Sequence, residues 1–393
     1  MHPSLLFVGF FLYAVAFNLL GPLATNIMET TGLSLSNSGF ILSFQQLGSL
    51  VSIGATLLVM KKLKQTSVMR IGYLFVIIAL MAIAFFSTGI TLFLFYFVLG
   101  IGNFLTDSGS NATLASKYYE KRALYIPLLH FCYSAGAIAT GYLILPFKGV
   151  SWPWAYGVVG ISLAAILILG LYQEWAKRTK DAEISSGDSV KIPEVQAGPV
   201  LPLVKDTAFV LYTLVILFYM GNQVVCSAWI PVYVEMELGQ SPAIVGTSLT
   251  VFWVGIALAR LLIGPIMQRG GKPFLLSIGG MLFAGISLVA LTSTDSIMLV
   301  LLYTALCGFF AGATIPMYIV VTTTWFPKNT AFISLSYLFG GAIGRMIFPW
   351  LVTKIASFTS LSFSLMLSSS MLFISAILIF IVRKITKQRP VFV

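Results

Sequence analysis

Twelve stretches of about 17–25 mostly apolar residues follow one another along the chain, separated by short polar breaks. They run near 5–24, 38–60, 70–88, 91–114, 124–146, 154–173, 208–231, 243–267, 273–293, 296–318, 331–351 and 361–383. A helix rises about 1.5 Å per residue, so each stretch can cross the ~30 Å hydrocarbon layer of a bilayer. The pattern predicts an all-α integral membrane protein with twelve transmembrane helices in two six-helix bundles. One break is unlike the rest. Residues 174–207 are polar and of mixed charge, with Ser185, Ser186, Gly187, Pro193, Gly198, Pro199 and Pro202 among them, the composition of a linker. Six spans precede it and six follow. The expected division is therefore an N-terminal bundle over 1–173, a cytoplasmic linker over 174–207, a C-terminal bundle over 208–383 and a cytoplasmic tail over 384–393. A short amphipathic helix is expected near 172–179. The first stretch lacks a basic leader and a small-residue cleavage site, so it reads as the first helix and not as a signal peptide.

Composition agrees with the pattern. Of 393 residues 58% are apolar and only 9% charged, too few to solvate the surface of a water-soluble protein of this size. The formal net charge of +11 raises the question of a nucleic-acid partner, and its distribution answers it. Lys61, Lys62, Lys64 and Arg70, then Lys117, Lys121 and Arg122, then Lys177, Arg178, Lys180, Lys191 and Lys205 fall in alternate breaks of the first half. Arg269, Lys272, Lys328, Arg383, Lys384, Lys387 and Arg389 continue the alternation. The opposite breaks hold Lys148 and Lys354 beside Glu29, Glu235, Glu237 and Asp295. This is the positive-inside distribution of a multi-pass protein with both termini cytoplasmic, here in a plasma (inner) membrane. The basic residues orient the chain in the bilayer; no nucleic acid is expected, and the chain is read as a monomer. Cys132, Cys226 and Cys307 all lie within spans, so a disulfide framework is not expected. Two histidines offer no metal-site spacing, no phosphate-binding Gly-rich loop is present, and no polar stretch is long enough for a catalytic domain. Neither an enzyme nor a cofactor is expected.

The halves resemble each other at an offset of about 207 residues. Leu47-Gly48 falls on Val254-Gly255, Lys62 on Arg269 and Tyr96 on Tyr303, and Ala135-Gly136-Ala137-Ile138 recurs slightly shifted as Gly340-Gly341-Ala342-Ile343. A shared offset with six spans on each side points to a duplicated transporter. The run Gly264-Pro-Ile-Met-Gln268-Arg269-Gly270-Gly271-Lys272 resembles the loop signature Gly-x-x-x-Asp-Arg-x-Gly-Arg/Lys of the major facilitator superfamily, with Gln268 in the acid's place. The equivalent loop of the first half, 60–64, is degenerate. Phe252-Trp253-Val254-Gly255-Ile256 with Arg260, Leu99-Gly100-x-Gly102 with Asp107, and Gly136-Ala137 are similar to stretches of its fucose/glucose–proton symporter group, which includes bacterial glucose/mannose symporters. The resemblance implies two pseudo-symmetric bundles and a coupling or sugar-binding role for the fourth-span acid, here Asp107. The first span has no carboxylate, and the seventh reads Tyr219-Met220-Gly221-Asn222-Gln223 where relatives often carry a glutamate.

Asp107 is the only acid inside a predicted span, where an ionised side chain costs about 2.5–3.5 kcal/mol or more at mid-depth. About 16 residues, or ~24 Å, separate it from the outer start of its span, which puts it in the cytoplasmic half. Arg260 and His130 reach a similar depth, so Asp107, His130 and Arg260 are the candidate ion-coupling residues. Two readings are open, a proton-responsive network or an ion pair that locks helices. Helical spacing groups the remaining polar residues. Asn103 and Asn111 share the face of Asp107; Asn18 and Asn26 flank Pro22; Gln45 aligns with Ser49 and Ser52, with Gln46 adjacent; Gln223 aligns with Tyr219, with Asn222 adjacent; and Tyr337 aligns with Arg345. Lipid-facing polar groups would go unsatisfied, so these stripes face inward, either as ordinary interhelical hydrogen bonds or as a binding site. The candidate substrate contacts are Asn18, Gln45, Gln46, Asn103, Asn111, Asn222, Gln223, Trp253, Tyr318, Tyr337 and Arg345. At its expected depth Arg345 meets no acid, and it reads either as an anchor for an anionic solute or as a donor to backbone carbonyls. Trp229 reads as an interfacial anchor or a ring for a sugar to stack on.

These readings converge on an alternating-access carrier that takes up a small polar solute, a sugar foremost, together with a proton or a sodium ion. The alternatives are a drug or lipid efflux carrier, which suits 31 Phe and 14 Met, and a non-transporting sensor built on the same fold.

Overall fold

The computed structural model describes residues 2–59, 63–118, 121–181 and 200–389. The basic residues Lys61, Lys62 and Lys191, most of the linker and residues 390–393 lie outside them. The described residues are almost wholly helical. The first half contains α1 (Pro3–Asn18), α2 (Leu20–Thr31), α3 (Leu35–Val59), α4 (Gln65–Phe86), α5 (Gly89–Lys117), α6 (Arg122–Leu143) and α7 (Trp152–Asp181). A short α8 (Leu201–Lys205) leads into the second half. There follow α9 (Thr207–Met236), α10 (Pro242–Gln268), α11 (Pro273–Thr292), α12 (Ile297–Ala311), α13 (Thr314–Trp325), α14 (Thr330–Ala356) and α15 (Leu361–Ile385).

Nine spans among the described residues are long and apolar enough by themselves to cross a membrane, and the bent α1–α2 pair makes a tenth. The helices α3 and α6 take the two remaining places in the six-plus-six order. Their hydropathy is diluted by Gln45, Gln46 and a run of serines in one, and by Arg122, His130 and Ser134 in the other. Two spans are broken for the same local reason. Pro22 has no N–H to donate to the carbonyl four residues back, at Asn18, and the first span bends there by 45°. Pro316 removes the bond to Gly312, where α12 gives way to α13. The sixth span does not end where its apolar run ends, for α7 continues to Asp181 and an Arg70–Glu174 ion pair holds the extension to α4. The expected separate helix near 172–179 is thus the last part of α7. In the Gln268–Lys272 break Gly270 turns the chain at φ +84°, a conformation an L side chain rarely adopts.

Each half repeats one packing scheme. In the first, α3 and α4 pack on α5, α1 on α6, and α4 on α7. In the second, α10 and α11 pack on α12, α9 on α14, and α11 on α15, which is the same set shifted by six spans. The weak internal repeat of the sequence is therefore a structural one. The halves meet where α3 lies on α14, α6 on α10, and α2 on α9. At the crossing of α6 and α10, Gly141 and Gly246 stand backbone to backbone, and a Cβ on either would meet the other's carbonyl oxygen. Large apolar side chains such as Phe85, Phe86, Ile90, Ile168, Met298 and Phe358 point outward over the bundle, the surface lipid requires.

Candidate functional site

Between the halves lies a cavity of about 580 Å³. Its wall is built by the middle parts of the helices and by turns on the side of the basic breaks. Phe10, Tyr13 and Phe17 come from α1, Asp107 from α5, and His130, Tyr133 and Ser134 from α6. The second half supplies Gln223 and Ser227 from α9, Trp253 and Arg260 from α10, Ile315, Pro316, Ile319 and Val320 from α13, and Tyr337 and Arg345 from α14. Every helix that meets the opposite half contributes except α2 and α3, which seal.

The seal lies toward the end with the acidic breaks. Glu235 near the end of α9 receives Lys148 Nζ at 2.5 Å from the α6–α7 connection and Thr25 Oγ1 at 2.7 Å from α2. Trp152 Nε1 donates to Thr30 Oγ1 at 2.8 Å and fixes the end of α2 against α7. Across the α6–α10 crossing, Tyr142 and Thr247 hydroxyls meet at 3.0 Å, and Thr250 donates to the Ile138 carbonyl at 2.8 Å. Ser43 donates to the Met346 carbonyl at 2.6 Å and ties α3 to α14. Among the described residues, these contacts close the halves on one another toward the acidic breaks.

Among the described residues Asp107 is the only carboxylate on the cavity wall. The spacing of its stripe is realised directly, since Asn111 Nδ2 donates to Asp107 Oδ1 at 3.0 Å and to its backbone oxygen at 2.9 Å. The expected partners of Asp107 were His130 and Arg260. All three line the cavity, and so does Arg345; among the described residues no ion pair within 4.0 Å joins Asp107 to His130, Arg260 or Arg345. The Nε of Arg345 is buried and has no hydrogen-bond partner among the described residues. Tyr133 and Tyr337 stand within reach of both arginines and of Asp107.

The other sequence candidates divide into two groups. Gln223, Trp253 and Tyr337 line the cavity. Asn18 reaches its edge, where its side chain donates to Ala14 O at 2.8 Å and accepts the indole N–H of Trp253 at 3.1 Å, a bond from one half to the other. The remainder point elsewhere. Asn222, one residue before Gln223 and so about 100° around the helix, donates to the Ser368 carbonyl on α15 at 3.2 Å. Tyr318 is buried against Tyr212, with its hydroxyl 2.9 Å from Thr213. Gln45, Gln46 and Asn103 are buried in the first half and do not line the cavity, and the α3–α5 contact is so close that the Gln45 carbonyl lies over Gly100. Trp229 is completely buried in α9, so it is neither an interfacial anchor nor a cavity ring.

Sequence reasoning missed the aromatic floor. Tyr133 packs edge-on to Trp253 at 5.8 Å between ring centres and lies within 5.9 Å of Phe10 and Tyr13. Phe10, Tyr13 and Phe17 recur at i, i+3 and i+7, a stripe that periodicity could have shown. It also missed the seal, although Lys148 and Glu235 are a lone base and an acid in breaks of the same side.

The family model of the Major Facilitator Superfamily matches residues 6–239 and again 211–392, nearly the whole chain. Among curated proteins, "Protein TsgA homolog" of Buchnera aphidicola subsp. Schizaphis graminum is 25% identical over 391 residues, covering 95% of this chain and 96% of that one. "Bypass of stop codon protein 6" of Saccharomyces cerevisiae is 23% identical over 292 residues, covering 66% of this chain and 57% of that protein's own length. Among solved structures, a bacterial homologue of the human lysosomal transporter Spinster, inward-facing and unoccupied, superposes with a TM-score of 0.78 at 16% identity, covering 99% of this chain and 98% of that one. A D-xylose–proton symporter gives 0.70 at 13% identity, with 96% of each chain covered. These structural likenesses speak to the fold. With two repeated six-span halves, a central cavity sealed on one side and a family match over both halves, the chain belongs to the major facilitator superfamily, a family of multi-pass membrane transporters and not of enzymes.

Proposed function

We propose that this transporter works by alternating access in a plasma (inner) membrane with both termini cytoplasmic, and that it takes up a small polar solute, of the sugar class or close to it, together with a proton. The observation that carries the proposal is the position of Asp107. A lone carboxylate on the wall of a half-open cavity faces two arginines and a histidine, so its protonation alters the charge that a bound solute meets. Gln223, Ser134 and Ser227 offer donors and acceptors to hydroxyl groups, and Trp253 with Tyr133 and Tyr337 offers ring faces. In this reading the basic end is cytoplasmic, and the contacts of Glu235 close the outer gate while the inner one is open. Sodium in place of the proton is the alternative coupling ion, and the monomer is the transporting unit.

The apolar part of the wall, with Phe10, Phe17, Phe131, Leu261 and Ile315, supports a second reading as an efflux carrier for amphipathic compounds. One experiment separates the readings. Proteoliposomes are screened for uptake of sugars, organic anions and cationic dyes with and without an imposed pH gradient. We expect a polar solute to accumulate when the gradient is present, and Asp107→Asn to abolish accumulation while sparing counterflow exchange. Undiminished accumulation by that variant would sink the coupling role of Asp107.

A further inference from the structure

We infer that the transported solute carries one anionic group, seated between Arg345 and Arg260, and that it moves with the proton of Asp107 as an electroneutral pair. The inference rests on the proposed reading of the cavity as a proton-linked transport site, and it names the solute class.

Charge balance carries the argument. The cavity wall holds two guanidinium groups and one carboxylate, an excess of one positive charge with His130 neutral. Among the described residues no ion pair within 4.0 Å joins Asp107 to either arginine. Arg345 and Asp107 line the same cavity, and the Nε of Arg345 is buried with no hydrogen-bond partner among the described residues. A guanidinium in that condition is a fork without its planar acceptor, the geometry that a carboxylate or phosphate oxygen pair completes. Around Asp107 the facing titratable and charged groups are Tyr13 on α1, Tyr73 on α4, Tyr133 and His130 on α6, Arg260 on α10, and Tyr337 and Arg345 on α14. None is a second carboxylate, so nothing else on the wall can answer the arginines once Asp107 takes up a proton.

Two loaded states can then be compared. With a neutral sugar bound and Asp107 protonated, the closed cavity would carry two positive charges through the low-dielectric part of the bundle with no counter-charge. With a monoanion bound, the loaded cavity carries the same single excess charge as the empty cavity with Asp107 ionised. Loaded and empty transitions then move equal protein charge, and a cycle transfers none. Protonation of Asp107 also removes the negative charge on the wall that would repel the anion, which makes proton and anion binding mutually reinforcing. A sugar acid meets both this requirement and the hydroxyl-binding groups of the wall.

The test uses the full-length protein and matched probes that differ in charge, gluconate against glucitol and phenylacetate against phenylacetamide. Binding is read by thermal shift, and uptake of the tighter-binding acid is followed in proteoliposomes. We expect at least one acid to bind about tenfold more tightly than its neutral partner, and more tightly at pH 6 than at pH 8. Asp107→Asn should make that binding independent of pH. Arg345→Lys should weaken the acid about tenfold more than it weakens the neutral probe; Arg260→Lys carries the same expectation should Arg345→Lys not fold. Uptake should follow the pH gradient and stay within about twofold when a potassium–valinomycin potential of either sign is imposed. If no acid is preferred over its partner, or if uptake follows the potential, the inference falls. Accumulation of a neutral sugar under a pH gradient overturns the anion while leaving proton-coupled transport standing. No response to the gradient by any probe overturns both.

Discussion

Single residues decide what this cavity can hold. Asp107 stood out in the sequence as a candidate because a carboxylate in an apolar run is costly to keep. That Arg260 and Arg345 both join it on one cavity wall was not legible, since a count of depth along each span does not say which side chains converge. Gln223 and Asn222 make the same point. They are neighbours in sequence, both amides on an inward face, yet one lines the cavity and the other bonds to Ser368. Trp253 combines both roles, presenting a ring to the cavity and an N–H to Asn18 in the opposite half. Trp253→Phe keeps most of the ring and loses the bond, worth a net ~0.5–1.5 kcal/mol. The expected outcome is a folded transporter whose apparent affinity for its solute is about two- to tenfold weaker, with an unchanged pH profile. Equilibrium exchange measured over a range of solute concentrations checks it, and a shifted pH profile would mean that Trp253 acts through Asp107.

Helices are where sequence reading succeeds best, because the bilayer demands apolar runs of one length and satisfied backbone bonds within each. Pro22 and Pro316 mark the two broken spans, whereas Pro127, Pro231, Pro265 and Pro349 stand inside continuous helices. Helix ends depend on finer chemistry. The side chain of Asp206 accepts the Phe209 N–H at 2.9 Å to cap α9 and also pairs with Arg389 Nη2 at 2.6 Å, which ties the C-terminal tail to the start of the second half. Burial pushes the Asp206 carboxyl up, but the Arg389 guanidinium and the Phe209 N–H outweigh it and hold the group below the usual carboxylate range. Because the folded value lies below the unfolded one of about 3.9, the stabilisation is present above that pH and is lost as the pH falls through the folded value. Asp206→Ala should therefore cost about 1 kcal/mol near neutrality, the usual worth of a cap. The deficit should shrink as the pH falls below about 3.9 and through the folded value, where the wild-type carboxylate is itself protonated. Thermal melts of the two proteins over a pH series running down from 7 measure this, and a deficit of equal size throughout would assign the effect to packing.

At the scale of the whole molecule, two repeated halves meet toward the acidic breaks through polar bonds set among close helix packing, α3 on α14 and α6 on α10. Glu235 is the hub, since it alone receives both Lys148 from the α6–α7 connection and Thr25 from α2. Glu235→Ala leaves Lys148 and Thr25 without that partner and should shift the population toward the state open at the opposite end. A thiol placed on the cavity wall reports the shift. In intact cells lacking Cys132, Ser227→Cys should react with a membrane-impermeant maleimide several-fold faster when Glu235→Ala is added. Equal rates would show that the α6–α10 crossing holds the seal without Glu235.

The amino-acid sequence by itself determined the number of spans and the two-fold repeat, and gave an expected direction through the membrane. Those features answer to a solvent constraint that acts on every residue of a run together, so they survive in composition, spacing and the placement of lysine and arginine. It also marked Asp107, His130, Arg260 and Arg345 as charges that must be explained. Only the tertiary structure decided which of them share one cavity wall, which amides face the cavity, and at which end the halves are shut. Those outcomes turn on helix tilt, on rotation of about 100° between neighbouring residues, and on contacts between segments some hundred or more positions apart, such as Tyr142 with Thr247 or Thr25 with Glu235. No local pattern records them, because each is a property of two helices and not of one.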